Sequence, residues 1–328
     1  MSAENKRKLM DIVEESELSK KKVCEILKLN RSRYYRWKRR YEEHGFAGLK
    51  DKKPTPNGPV YALLDEEKEA IIEYALDNPD TRHRKLAYEL QNEDIVHVSP
   101  SSVYRVLKAE GLIKERTEPQ QDTSADGKIE VEDPNNMWHL DITYIPIKNI
   151  HAYQITVLDG CSRLAVHSEL SRTMQADDIK RVMSKALFKQ DLFEVDEADR
   201  PVLVTDNGSQ ILSHSFQDFL KEWDIKHIRT AVRHPESNGK IEVFHKTIKY
   251  ENIYVQKRYE NFYEAQEDLD EFIEKYNNER LHQGIDFVTP QEKHTGKAEK
   301  IINEREKRHK KAIKRRKRLN REAKAQAA

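Results

Sequence analysis

Three β-like runs, MWHLDITYIPI, AYQITVLDG and RLAVHSEL, follow one another with only short gaps containing Lys-Asn and Gly. After them the pattern alternates. TMQADDIKRVMSKALFKQ has helical periodicity, and PVLVTD is a short apolar run of the buried-strand type. SHSFQDFLKEW is helical, KHIRTAV strand-like, residues 238–250 helical, and NFYEAQEDLDEFIEKYNNER a long acidic amphipathic helix. Strands in succession and then alternating helices and strands predict an α/β region, a mixed sheet with helices packed on its faces.

The chain upstream is helical. Residues 4–15 carry Leu9, Ile12 and Val13, and Ser19 can cap a helix that buries Val23, Cys24, Ile26 and Leu27. After the break KLN comes RSRYYRWKRRYEEHG. Tyr34, Trp37 and Tyr41 fall at i, i+3 and i+7 and form an aromatic stripe; Arg33, Arg36 and Arg40 fall at the same spacing on another face. A short helix, a tight turn and a basic helix with an aromatic back make a helix-turn-helix pattern over residues 1–53. A small helical bundle with a solvated basic face shares that pattern. LKDKKPTPNGP then breaks any helix.

A second unit, residues 60–116, ends in VSPSSVYRVLKAEGL. Ser99 is placed as N-cap, Pro100 at the first helical position and Gly111 just past the end. Val103, Val106 and Leu107 point inward; Ser101, Ser102, Arg105 and Lys108 point outward. This reads as a second DNA-binding helix-turn-helix with a less basic face. Residues 117–133 are polar and unpatterned, a linker.

Charge supports a nucleic-acid partner. The total is +1, yet residues 1–53 hold 16 Lys/Arg against 9 Asp/Glu and residues 304–324 hold 12 against 3, leaving about −15 for the rest. Two basic ends around an acidic middle suit anion-binding arms; Lys-rich ends also serve solubility alone. The basic tail, residues 294–328, fits either a helix or a disordered arm that adds sequence-independent phosphate contacts. No apolar run approaches the ~20 residues of a membrane span, the N-terminus lacks a signal-peptide core, and two cysteines cannot build a disulfide framework. A reducing, intracellular location is the plain expectation.

Three carboxylates stand out by position. Asp141 lies within the first strand, Asp206 ends the fourth, and Glu242 opens the helix after the fifth. An aspartate inside an apolar strand is costly unless paired, bonded or metal-bound, and strand carboxyl ends are where open sheets hold ligands. Singly, Asp206 before Asn-Gly is also a turn residue and Glu242 also suits a helix dipole. Together they offer three hard oxygen donors, which favour Mg²⁺ or Mn²⁺. Two such ions about 4 Å apart can clamp both oxygens of an in-line phosphoryl displacement. Lys246 and Lys249, at i+4 and i+7 from Glu242, would meet a DNA phosphate there; a plain Glu–Lys helix pair is the other reading.

With 35 residues between Asp206 and Glu242, the blocks VLVTDNGSQ, HPESNGKIEVFHKTIKYE and YNNERLHQGIDFVTP resemble those of bacterial insertion-sequence transposases of the DDE type. The resemblance covers roughly residues 134–293. It implies a ribonuclease-H-like core shared with retroviral integrases, with Asp141, Asp206 and Glu242 as catalytic ligands of two divalent ions. Lys249 matches the basic position that contacts DNA near the element's end, and Asn238 and Gly239 match the turn before the helix. His234 and Asp159 also sit at family-like positions, where structural roles are expected. The His-His-Cys-Cys module of retroviral integrases has no counterpart here, and the basic tail lies outside the core pattern. The family implies a cytoplasmic, nucleoid-associated bacterial protein that binds double-stranded DNA, works as at least a homodimer because two ends must be held together, and cuts and joins DNA. A non-catalytic regulator would not need all three acids. A nuclease acting on RNA–DNA hybrids would not need helix-turn-helix units.

Overall fold

The computed structural model describes residues 2–50, 59–113, 131–148, 150–192, 194–229, 239–253 and 259–326. The chain forms two compact units, Met1–Ala62 and Leu63–Ala328. The linker expected over residues 117–133 lies largely outside the described residues, as does most of LKDKKPTPNGP.

The first unit is three helices, α1 (Ala3–Glu15), α2 (Lys20–Ile26) and α3 (Arg31–Leu49). The aromatic stripe of α3 faces inward: Tyr34 and Trp37 are buried against Met10, Val13, Val23 and Cys24, with Tyr41 packed at the edge. Asn30 caps α3 by accepting from the Ser32 amide. Ile26, expected inside, is exposed, as is Ile12. Met10 and Val13 take the inner face of α1 instead, and α2 has only seven residues, too short for both its ends to reach the core.

The second unit begins with α4 (Asp65–Asp77), α5 (His83–Asn92) and α6 (Pro100–Ala109). Ser99 Oγ accepts from the Ser102 amide, Pro100 opens α6, and Gly111 takes the positive φ that ends it. Val103 and Leu107 are buried and Val106 is half-buried, as their spacing predicts.

Five strands follow: β1 (Met137–Ile147), β2 (Ile150–Asp159), β3 (Ala165–Ser171), β4 (Val202–Thr205) and β5 (His227–Arg229). The sheet order is β3-β2-β1-β4-β5. The pairs β1–β2 and β2–β3 are antiparallel, whereas β1–β4 and β4–β5 are parallel. This is the mixed, ribonuclease-H-like sheet expected. The parallel pairings require crossovers, supplied by α7 (Ala176–Lys189) and α8 (His214–Glu222).

Strand alternation assigns the two faces. Trp138 and Leu140 of β1 join the core formed with α7 and α8. Ile145 and Ile147, of the opposite parity, join the core formed with α9 (Gly239–Ile248) and α10 (Phe262–Asn278). Asp141 shares the parity of Ile145 and so faces α9. Beyond Ile248 one π-helical turn, Lys249–Ile253, extends α9. The short α11 (Pro290–His294) leads to α12 (Ala298–Gln326), so the basic tail is a helix of 29 residues.

Candidate active site

The site lies where the parallel strands β1 and β4 part. Their register ends at Leu140 opposite Thr205. Asp141 and Asp206 are the next residues of each chain, so they leave the ladder as neighbours. β1 continues along β2, with Asp141 opposite Thr156, while β4 stops.

The end of β4 is held by a directed chain of hydrogen bonds. Gln217 Nε2 donates to His227 Nδ1 at 3.2 Å, which leaves His227 Nε2–H to donate to Thr205 Oγ1 at 2.9 Å. Thr205 Oγ1–H in turn donates to the Asp206 carbonyl at 2.9 Å. Burial lowers the His227 pKa, with the Arg229 charge adding to it, which agrees with a neutral ring carrying one proton. Asp206 itself is exposed and its Oδ1 accepts from the Gly208 amide at 3.0 Å, the Asx turn that Asp-Asn-Gly favours. A side chain at 208 would press on that carboxylate and on Gln210.

Asp141 is bound from the other side. Its Oδ2 lies 3.1 Å from His245 Nδ1, and its Oδ1 accepts from the Ile142 amide at 2.8 Å. His245 is buried on α9, and Glu242 stands one turn earlier on the same side of that helix. Glu242 is exposed, in the first turn, as its sequence position predicts. Lys246 is exposed and Lys249 half-buried at the start of the π turn. Lys240 anchors the start of α9, with its Nζ donating to the Gly160 carbonyl at 2.9 Å. His245, His227 and Lys240 were not foreseen from sequence. The one available signal was His245 falling at i+3 from Glu242.

The hairpin beneath α9 is built around Asp159, which is fully buried. It accepts from the amides of Asn135, Cys161 and Ser162 and from Ser162 Oγ. Ser162 Oγ meets His294 Nδ1 at 3.1 Å, and His294 Nε2 meets Gln190 Oε1 at 2.7 Å. Asp159 is thus spent on structure. His234, Asn238 and the turn before α9 lie outside the described residues; Gly239 begins the helix.

The donors at this edge are carboxylates, a set that suits a hard divalent cation. Among the described residues no three His, Cys, Asp or Glu groups are gathered closely enough to enclose an ion. Like charges repel, so three carboxylates gain nothing by closing on one another without a cation between them.

The remaining DNA-contact candidates lie on two helices, one in each unit. Arg33, Arg36 and Arg40 are exposed on α3, on the face away from its aromatic stripe. Arg105 and Lys108 are exposed on α6, where Arg105 Nε donates to the Ser101 carbonyl at 3.1 Å. No helix among the described residues is long and apolar enough to cross a membrane.

The chain is similar in sequence to known proteins. Two family models described as integrase core domains match residues 131–235 and 223–290. A homeodomain-like domain matches residues 33–107 and a helix-turn-helix domain residues 8–57. The transposase for insertion sequence element IS904 of Lactococcus lactis is 32% identical over 162 residues, which are 48% of this chain and 61% of that protein. The putative transposase InsD for insertion element IS2E of Escherichia coli is 29% identical over 200 residues, 60% of this chain and 90% of that protein. Among solved structures, the HTLV-2 integrase catalytic core domain in complex with magnesium aligns with TM-score 0.39 at 20% identity, covering 49% of this chain and 97% of that one.

Proposed function

We propose that this chain, an integrase-core protein with helix-turn-helix domains ahead of its core, is a DDE-type insertion-sequence transposase. It binds the terminal inverted repeats of a mobile element, cuts the DNA at the element's end and joins the freed 3′-OH to target DNA. The single observation that carries this reading is the pairing of β1 with β4. It sets Asp141 beside Asp206, and His245 ties the helix of Glu242 to the same edge.

Asp141, Asp206 and Glu242 would hold the divalent cations, Mg²⁺ or Mn²⁺ and two in number. Bound there, such ions lower the pKa of an attacking water or hydroxyl and offset charge on the leaving oxygen. The chain's own groups position the reactants. The Asx turn keeps the Asp206 carboxylate at the edge. His245 at Oδ2 and the Ile142 amide at Oδ1 fix the rotamer of Asp141. Lys246 and Lys249 neutralise phosphates of the DNA strand brought to that edge. In the first reaction water attacks the phosphodiester, a new P–O bond forms, and the 3′-oxygen departs and takes a proton. In the second that 3′-OH attacks a target phosphate in line, expelling another 3′-oxygen. No protein–DNA bond is needed.

Arg33, Arg36 and Arg40 on α3, and Arg105 and Lys108 on α6, contact the end DNA. Two ends must be joined in one event, so the working form is at least a homodimer on double-stranded DNA, in the bacterial cytoplasm at the nucleoid. The test is metal-dependent strand transfer with oligonucleotides carrying the element's ends. Asp141→Asn, Asp206→Asn and Glu242→Gln should each abolish cleavage and joining while end binding persists. Joining at the wild-type rate by any of the three would overturn the reading.

A further inference from the structure

The C-terminal helix α12 has two opposed faces. Its inner face runs through Ala298, Ile301, Arg305, His309, Ala312, Arg316 and Leu319, all buried or half-buried. That spacing of three or four keeps one side of the helix inward. Two arginines on this face are buried, Arg305 and Arg316. Arg316 Nε donates to both carboxylate oxygens of Glu67, at 2.8 and 3.1 Å, and its Nη2 donates to the His97 carbonyl at 2.8 Å. Arg305 donates to Asn92 Oδ1 at 2.9 Å and to the Phe287 carbonyl at 2.9 Å. Arg315 and Arg308 pair with Glu66 and Asp94. Apart from Phe287, which precedes α11, these partners belong to α4 and to the end of α5 with its connection to α6. The helix is therefore bolted to the three-helix unit that carries α6.

The outer face carries a different pattern. Lys307, Lys311, Lys314, Arg318 and Arg321 fall at i, i+4, i+7, i+11 and i+14, and all five are exposed. They form one straight row about 20 Å long, opposite the bolted side. Among the described residues none of the five has a carboxylate within ion-pair distance, whereas the neighbouring Lys310 pairs with Glu306. Neighbouring like charges on a helix destabilise it, so a row of five with no acid between them works against the helix that bears it. Solubility alone would be served by mixed charges.

We propose that this row is a binding rail for the phosphates of duplex DNA, held in fixed relation to α6 by the buried Arg305 and Arg316 contacts. The proposal rests on the transposase reading only for the choice of DNA as partner. A row of cations on a rigid support meets a phosphate backbone without first having to order a flexible arm. DNA gripped by Arg105 and Lys108 of α6 and DNA gripped by the rail are then engaged by one body. The duplex is favoured over other polyanions because the same unit presents the exposed α6 helix.

The test is binding of the full chain to a random-sequence duplex at several salt concentrations, without divalent metal, so that it reads nothing of catalysis. Lys307→Glu, Lys311→Glu and Lys314→Glu together should make the slope of log affinity against log salt shallower by about 2–3, near one per lost phosphate contact. Should the triple variant not fold by circular dichroism, the glutamine versions of the same three sites give the same reading. A second comparison tests the bolting. Arg316→Ala and Lys317→Ala remove one charge each, but only the first releases the helix. Arg316→Ala should weaken duplex binding several-fold more than Lys317→Ala, and Glu67→Gln should behave like Arg316→Ala. An unchanged salt slope in the triple variant would overturn the rail. Equal effects of Arg316→Ala and Lys317→Ala would overturn its fixed support, and a loss confined to phosphatidylserine vesicles would assign the row to a membrane surface instead. Failure of strand transfer in the metal assay leaves each of these outcomes readable.

Discussion

His245 Nδ1 lies 3.1 Å from Asp141 Oδ2, joining a strand residue to a helix residue 104 positions later in the chain. His245 sits in the turn after Glu242, so this one close contact links the strand carboxylate to the helix that carries the other. A group that orients a metal-binding carboxylate without touching the reacting atoms typically contributes a factor of 10–100. His245→Ala should therefore lower strand transfer by roughly 10–100-fold and raise the metal concentration needed for half-maximal rate. His245→Asn, which keeps a donor, should recover part of both. Checking this requires a metal titration of each variant alongside its rate, since a loss from misfolding would not move the metal midpoint.

His282 predicts a pH dependence of stability. Burial, with the Arg163 and Arg280 charges nearby, lowers its pKa to about 4. Its Nδ1 accepts from the Gly284 amide at 3.1 Å, a bond only the neutral ring can make. The folded pKa lies below the unfolded one, so between them the unfolded chain binds more protons and stability rises with pH. The contribution is complete above about pH 6.5 and is lost as pH falls to about 4, amounting to on the order of 3 kcal/mol. Urea unfolding of the second unit across that range should show this slope, and His282→Asn should flatten it.

The buried Arg316–Glu67 pair makes an asymmetric prediction. Their side chains are 3% and 10% exposed, so losing one partner strands the other charge away from water. Glu67 also accepts from the Leu64 amide at the start of α4, so a disturbance there loosens that helix as well. Arg316→Ala should destabilise the second unit by about 3–5 kcal/mol, whereas Arg316→Met with Glu67→Leu should cost far less. Thermal unfolding of both variants decides between these; equal losses would mean the pair is solvated.

Residues whose partners are near in sequence were legible. Tyr34, Trp37 and Tyr41 could be assigned to an inner face because helical spacing alone determines it, and Ser99, Pro100 and Gly111 because capping is local. Asp141 stood out because an acid within an apolar strand is costly to bury; Asp206 and Glu242 are singly ordinary turn and helix-start residues, and only the combination of the three marked them. Ile26 misled because a hydrophobic side chain at the end of a seven-residue helix does not always reach a core. His245, His227 and Lys240 were not legible, since each acts through a partner brought close only by the sheet. The inner face of α12 was hidden for a stronger reason. An arginine whose carboxylate partner lies 249 residues away looks in sequence like any other surface charge.

Two adjacent residues of α3 should separate binding from folding in the first unit. Arg36 is exposed and Trp37 is buried, 6% accessible, against α1 and α2. Lys6 Nζ lies 5.9 Å from the Trp37 ring and donates to the Leu49 carbonyl at 3.0 Å, so the indole also supports the contact that closes α3 onto α1. Trp37→Ala should cost about 3–5 kcal/mol of stability through the cavity it leaves. DNA binding by that variant should fail only where the unit unfolds. Arg36→Ala should leave the unfolding curve within about 0.5 kcal/mol of wild type. If Arg36 meets a phosphate, the variant weakens binding to all sequences and makes the salt slope shallower by about 1. If it reads a base, it relaxes preference at one position and leaves the slope nearly unchanged. Fluorescence anisotropy with end and scrambled duplexes at three salt concentrations distinguishes the two, and unaltered affinity for both duplexes would remove Arg36 from the DNA-contacting face of α3.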